Sequence, residues 1–124
     1  MASTRYGFTD AQWQSAVAEA TTILIESARS DLGYITYSDL AVRLRSITIG
    51  YHDPAMDYLL TQVSTDEHYA TRPLLSAVVL HIDDGRPGKG FYDLARELSF
   101  DVSDREAFWV SEFRRVTEYW RNHP

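Results

Sequence analysis

Between Pro73 and the turn residues Asp83-Asp84-Gly85 runs Leu74-Leu75-Ser76-Ala77-Val78-Val79-Leu80-His81-Ile82, nine residues with Leu, Val and Ile on both alternating faces. A segment that is apolar on both faces has to be covered on both, so the rest of the chain must fold around it. Its length and its bounding Pro and Asp-Gly predict a buried strand over about residues 74–82. A short helical segment is the competing reading, because periodicity does not separate the two in a short apolar run. Directly after it comes Gly85-Arg86-Pro87-Gly88-Lys89-Gly90, a turn and loop by its glycine and proline content. Core and candidate site therefore adjoin in one stretch, Arg72 to Phe91.

Helices surround that stretch in the sequence. Thr9 is an N-cap, Gln12 its capping-box partner, and Phe8 with Trp13 a hydrophobic staple. Trp13, Ala16, Val17, Ala20, Ile23, Leu24 and Ala28 follow helical spacing, so a first helix is expected over about Asp10 to Asp31, stopped by Gly33. Thr36 caps a second, short helix ending near Ser46, with Asp39 at its third position and an Ile35–Leu40 staple. Asp53-Pro54 opens a third, over Pro54 to Ser64, with Met56, Leu59, Leu60 and Val63 facing inward. Helix resumes from Phe91 to Leu98. Ser103-Asp104-Arg105-Glu106 reads as a further capping box, opening a last helix over about Asp104 to Arg121 with Phe108, Val110, Phe113, Val116 and Trp120 as its apolar residues. The expected fold is mainly α with a small β element, an α+β arrangement in one globular domain of 124 residues.

Composition removes several classes of function. The chain has no cysteine, which excludes disulfides, thiolate metal sites and a cysteine nucleophile. No apolar run approaches the roughly 20 residues that span a bilayer, and Met-Ala-Ser-Thr-Arg leads into no signal-type segment, so a cytoplasmic protein without membrane association is expected. A net charge of -6 opposes non-specific attraction to nucleic acid. Eight tyrosines and three tryptophans suffice for both a core and an aromatic surface.

The candidates for chemistry each have a plain structural rival. Glycines at 85, 88 and 90 let backbone N–H groups approach an anion, with Arg86 and Lys89 supplying charge. The spacing is nevertheless not that of a Walker loop, since Phe91 follows Gly90. His81 beside Asp83 and Asp84 has the composition of a general base or metal ligand, yet no nucleophile and no ligand spacing accompanies it. His52, His68 and His123 are scattered, and Ser76 lies within the apolar run rather than in a nucleophile elbow. Asp39, Asp53 and Asp104 are explained by helix starts, and Arg114, Arg115 and Arg121 by pairing with Glu112 and Glu118 on a solvated face. No cofactor and no metal site is expected.

Taken in order, the Phe8-Thr9 helix start, Gly33-Tyr34-Ile35-Thr36-Tyr37-Ser38-Asp39-Leu40-Ala41, the Pro-started helix, Pro73 before Val78-Val79, Asp-Gly, the glycine-rich loop and Leu94-Ala95-Arg96-Glu97 resemble the winged-helix domain of O6-alkylguanine-DNA alkyltransferases and alkyltransferase-like proteins. The resemblance covers about residues 8–98 and implies a winged-helix-like portion there, with an added C-terminal helix over about 104–121. It places Tyr37 on the family tyrosine that helps rotate a target nucleotide out of the duplex. The reactive Pro-Cys-His-Arg motif falls near Leu74 to Ala77, where no cysteine stands, so no alkyl transfer is implied. Asp57 and Tyr58 occupy the place of the intercalating arginine, which implies a DNA-reading face altered or lost.

The function expected from these readings is a non-catalytic recognition or regulatory module. It binds a protein partner through an acidic, tyrosine-rich surface that presents Tyr34, Tyr37, Tyr51, Tyr58, His81, Arg86 and Lys89. One alternative is a winged-helix-like nucleic-acid-binding protein. The other is a small enzyme or anionic-ligand-binding protein built on His81 and the loop from Gly85 to Gly90.

Overall fold

The computed structural model describes residues 4–124, with side chains from residue 6 onward. It is mainly helical with a small β component. A hairpin of β1 (Thr4–Arg5) and β2 (Phe8–Thr9) leads into α1 (Asp10–Arg29). There follow β3 (Ile35–Thr36), α2 (Tyr37–Arg43), α3 (Pro54–Tyr69), a 3₁₀ turn (Leu75–Val78), β4 (Val79–Leu80), α4 (Lys89–Glu97) and α5 (Arg105–Asn122). Strands β3 and β4 pair in parallel, Ile35 beside Val79 and Thr36 beside Leu80. Among the described residues no helix is long and apolar enough to cross a membrane.

The helix starts follow the capping chemistry of the sequence. Thr9 Oγ1 accepts from the Gln12 N–H at 3.1 Å while the Thr9 N–H donates to Gln12 Oε1 at 2.8 Å, the reciprocal box. Thr36 Oγ1 accepts from the Asp39 N–H, and Asp53 Oδ1 from the Ala55 N–H ahead of Pro54. The last helix differs from expectation in its cap, because Asp104 rather than Ser103 receives the Ala107 N–H. Helix α1 stops at Arg29 with Ser30 as its cap, and Gly33, at φ +77, instead turns the following loop against α5. Helix α2 ends at Arg43, three residues before the expected Ser46.

Helix α3 runs to Tyr69, five residues beyond the expected Ser64. The added turn is buried through polar pairs, which hydropathy cannot reveal. Ser64 Oγ lies 2.6 Å from Ser76 Oγ, and the Glu67 carboxylate takes two hydrogen bonds from Arg72, at 2.7 and 2.9 Å. Bidentate geometry and burial of Glu67 make this pair worth more than a surface salt bridge.

The expected strand over residues 74–82 is corrected. Residues Leu75–Val78 form the 3₁₀ turn and only Val79–Leu80 are extended. The segment is apolar on every side because it threads between α1, α3 and α5, with Leu74 through Leu80 all buried. Enclosure by three helices gives the same apolar pattern as a central strand, with strand pairing only at Val79–Leu80. Side chains supply the missing partners instead. Glu112 Oε2 accepts the Leu74 N–H at 2.8 Å, Ser64 Oγ accepts the Ser76 N–H at 2.9 Å, and Trp109 Nε1 donates to the Ala77 carbonyl at 3.0 Å. The Glu112 carboxylate, itself buried, is balanced by Arg115 at 2.6 Å.

Removing that acceptor strands a buried donor. Glu112→Ala is expected to cost about 2–3 kcal/mol in urea unfolding, the range for losing a charged partner from a buried N–H. Glu112→Gln, which keeps an acceptor oxygen, should lose less than half of that.

Candidate functional site

The turn that ends the buried segment is closed by its own backbone. The His81 N–H donates to the Arg86 carbonyl and the Gly85 N–H to the His81 carbonyl, both at 2.9 Å, with Gly85 at φ +66. Glycine adopts that φ without the strain a Cβ would add. Arg86 does not reach outward for a ligand. Its Nε donates to Glu106 at 2.8 Å, and its guanidinium lies 5.2 Å from the centre of the Trp109 ring. The turn is thereby pinned to α5.

Tyr37, expected on the surface, is only 5% exposed. Its hydroxyl accepts the Gly88 N–H at 3.0 Å, and its ring stacks on His81 with centroids 4.4 Å apart and planes 18° from parallel. His81 is half-buried against Tyr37. A side chain at position 88 would bring its Cβ to 2.8 Å from the Tyr37 hydroxyl and 3.2 Å from His81 Nε2, so glycine is there for close approach. Burial pushes the Tyr37 phenol up from 10.0 to about 12, against the opposing pull of the Gly88 N–H. A hydroxyl so raised is not an activated base. Tyr37, His81 and Gly88 thus form a lock holding the loop over the core.

Outside the lock, α3 and α4 frame an open groove of about 480 Å³. Asp57 and Tyr58 line it from α3, and Lys89, Asp93 and Glu97 from α4. Lys89, Asp93 and Glu97 repeat every four residues, one face of the helix. Helix α4 begins at Lys89, two residues before the expected Phe91, so part of the presumed glycine loop is helical. Lys89 Nζ lies 3.7 Å from Asp93, which also meets Arg96 at 3.3 Å. Among the described residues Asp57 has no ion-pair partner. Its carboxylate faces the first turn of α4, 3.7 Å from where a Cβ at Gly90 would stand. Desolvation holds the Asp57 carboxyl above the usual carboxylate range, and the charge of His81 offsets this only in part. Tyr58 is half-exposed and stacks face to face on Tyr6, centroids 4.4 Å apart, and Tyr6 in turn packs on Trp13.

The other expected tyrosines do not join this face. Tyr34 borders a separate, apolar groove with Leu32, Trp109, Val110 and Phe113. Tyr51 packs on His52 in the link before α3. Of the expected set, Tyr58 and Lys89 share a surface depression. Asp93 and Glu97 were not singled out by sequence reasoning, although their four-residue spacing from Lys89 was the available signal. Among the described residues no group of three His, Asp or Glu side chains is placed to hold a metal ion.

No family model matches the chain, and neither a curated protein nor a solved structure does.

Gly88→Ala should destabilise by about 1–3 kcal/mol through overpacking. In a Tyr37→Phe background, where the closest atom is gone, the same change should cost measurably less, and a double-mutant cycle on unfolding free energies reads that coupling. Because the folded phenol titrates near 12 and the unfolded one near 10.0, its contribution is intact below pH 10 and is lost as pH rises towards 12. Alkaline unfolding followed across that window should be less steep for Tyr37→Phe.

Proposed function

We propose that this protein is a non-catalytic recognition module that takes a basic segment of a protein partner into the groove between α3 and α4. The observation that carries the reading is Asp57, a partly desolvated carboxylate that has no cation paired with it among the described residues and lines a groove with Asp93, Glu97 and the Tyr58 ring. A lysine or arginine side chain would compensate Asp57 and lie against the aromatic wall. The net charge of -6 would steer such a partner towards the protein.

Two other readings are less well supported. Nucleic-acid binding calls for a continuous basic face, whereas Arg86 is engaged with Glu106 and Trp109, Lys89 lies beside Asp93, and the groove between α3 and α4 is acidic. An anionic ligand at the glycine loop would settle on the N-terminal turn of α4, where the Asp57 carboxylate already stands. An enzyme using His81 with Lys89 lacks a shared pocket, since Lys89 opens on the groove and His81 is stacked on Tyr37.

Fluorescence anisotropy with a labelled Lys/Arg-rich peptide and, separately, a labelled random-sequence DNA duplex distinguishes these readings. The peptide should bind, more weakly at higher salt, and Asp57→Asn with Glu97→Gln should reduce its affinity by about tenfold or more, roughly 1.4 kcal/mol. The duplex should not bind. Preference for the duplex, or peptide affinity untouched by the two substitutions, would reject the proposal.

A further inference from the structure

On the other side of the buried segment, the loop before β3 and helix α5 enclose an open groove of about 470 Å³. The loop is fastened to the helix at one end. Gly33 packs so closely that a Cβ there would stand 3.3 Å from the Thr117 methyl and 3.4 Å from the Phe113 ring, and Arg121 donates to the Ser30 carbonyl at 2.9 Å. This contact leaves Thr117 buried and closes that end of the groove. Toward Val110 the groove opens, with Leu32 69% exposed on one lip and Val110 41% exposed on the other. Val110, read from the sequence as one of the apolar residues of the last helix, therefore faces solvent.

The walls are aromatic and already held in place. Trp109 donates its Nε1–H to the Ala77 carbonyl at 3.0 Å and carries the Arg86 guanidinium 5.2 Å from its ring centre. Phe113 meets it edge-on, with centroids 5.9 Å apart and planes at 68°. Tyr34 lines the groove from the loop, and the buried Leu80 of β4 lines it from within. A groove of this size with fixed apolar walls has the properties of a small-molecule site, because little has to be ordered on binding. Its polarity is concentrated in one group. Among the described residues that line it Arg114 alone is charged, and its exposed guanidinium makes no hydrogen bond or ion pair among the described residues. The neighbouring arginines differ, since Arg115 is taken by Glu112 and Arg121 by the Ser30 carbonyl. An apolar body with a single anionic end matches this pattern.

We propose that this groove binds a small aromatic carboxylate, with its ring among Tyr34, Trp109 and Phe113 and its carboxylate on Arg114. The planar fork of an arginine takes a carboxylate through two parallel N–H···O bonds. Three aromatic side chains favour a planar ring over a flexible alkyl chain, which would give up more rotational freedom to lie in the same space. A sugar phosphate fits poorly, because apolar walls offer its hydroxyl groups no partners. The net charge of -6 works against any anion at long range. The apolar walls must therefore supply most of the affinity, and Arg114 the choice of an anion over a neutral ligand. Binding would also cover Leu32 and Val110.

The site shares no lining residue with the groove between α3 and α4, so it stands apart from the binding of a basic segment. NMR titration of the nitrogen-labelled full chain with naphthoate, and separately with naphthalenemethanol and with decanoate, tests it. The Trp109 indole N–H, held on the Ala77 carbonyl, reports from the groove wall. Naphthoate should saturate in the micromolar to sub-millimolar range, with shifts centred on residues 32–34 and 109–114. The neutral alcohol and the alkyl acid should each bind about tenfold more weakly. Arg114→Gln should weaken naphthoate by about tenfold and leave naphthalenemethanol unchanged. Val110→Glu, which sets a negative charge on the lip, should weaken naphthoate as well. Both positions are exposed, and circular dichroism melting of each variant separates lost binding from lost folding. No saturable shifts, shifts centred elsewhere, equal affinity for naphthoate and its alcohol, tighter binding of decanoate, or indifference to Arg114→Gln would overturn the proposal.

Discussion

The fold depends on a buried carboxylate bonding a stretch of backbone that, ahead of β4, has no sheet to bond it. Residues Leu74 to Leu80 pass through the centre of the molecule, enclosed by α1, α3 and α5, and nearly all of this stretch is irregular or 3₁₀. Buried peptide groups without partners cost a few kcal/mol each, so such a path survives only if side chains replace the ladder. Glu112, Ser64 and Trp109 do so from two different helices. The requirement fixes how α3 and α5 are placed, because α3 must present Ser64, and α5 both Glu112 and Trp109, at particular heights along the segment. Burying Glu112 is costly in itself, and Arg115 at the protein surface offsets it.

From that centre the two faces of the molecule follow. On one side the segment emerges into β4 and the turn at Asp83 to Gly85, where Tyr37, His81 and Gly88 pack so closely that the start of α4 is set against α3. Asp57 consequently faces the first turn of α4, and the acidic groove takes its shape. On the other side Trp109, anchored to the Ala77 carbonyl, holds α5 against the 3₁₀ turn. Val110 of α5 is left facing solvent beside Leu32 and Tyr34. The groups that fasten the core therefore also decide which charges and which apolar residues meet solvent.

This arrangement gives new roles to residues whose types invite a chemical reading. A tyrosine, a histidine, an arginine and a glycine-rich turn close together have the composition of a ligand site. Here the tyrosine hydroxyl receives a backbone N–H, the histidine is a stacking partner, and the arginine ties a turn to α5. Tyr37 is covered by His81 and Gly88, and Arg86 is occupied by Glu106 and Trp109. The group at the groove between α3 and α4 that has no charged partner among the described residues is a plainer one, Asp57.

The sequence by itself determined the helices and their starts, since capping residues act over three or four positions and are legible locally in Thr9, Thr36 and Asp53. It also determined that residues 74–80 lie inside, though not that Ile82 is exposed, and that the chain is mainly helical with little sheet and Gly85 sits in a turn. What it could not settle was the conformation of that inner segment, because a strand and an irregular path enclosed by helices demand the same apolar residues. Nor could it show that α3 continues past Ser64, where burial rests on the pairs Ser64–Ser76 and Glu67–Arg72 rather than on hydrophobicity. Exposure of the tyrosines was equally a tertiary matter: Tyr37 is covered by a glycine 51 positions away, while Tyr58 is left half-open at a groove. Local propensity acts between near neighbours in the chain, whereas burial and charge pairing depend on residues far apart in it. Only the tertiary structure brings those together.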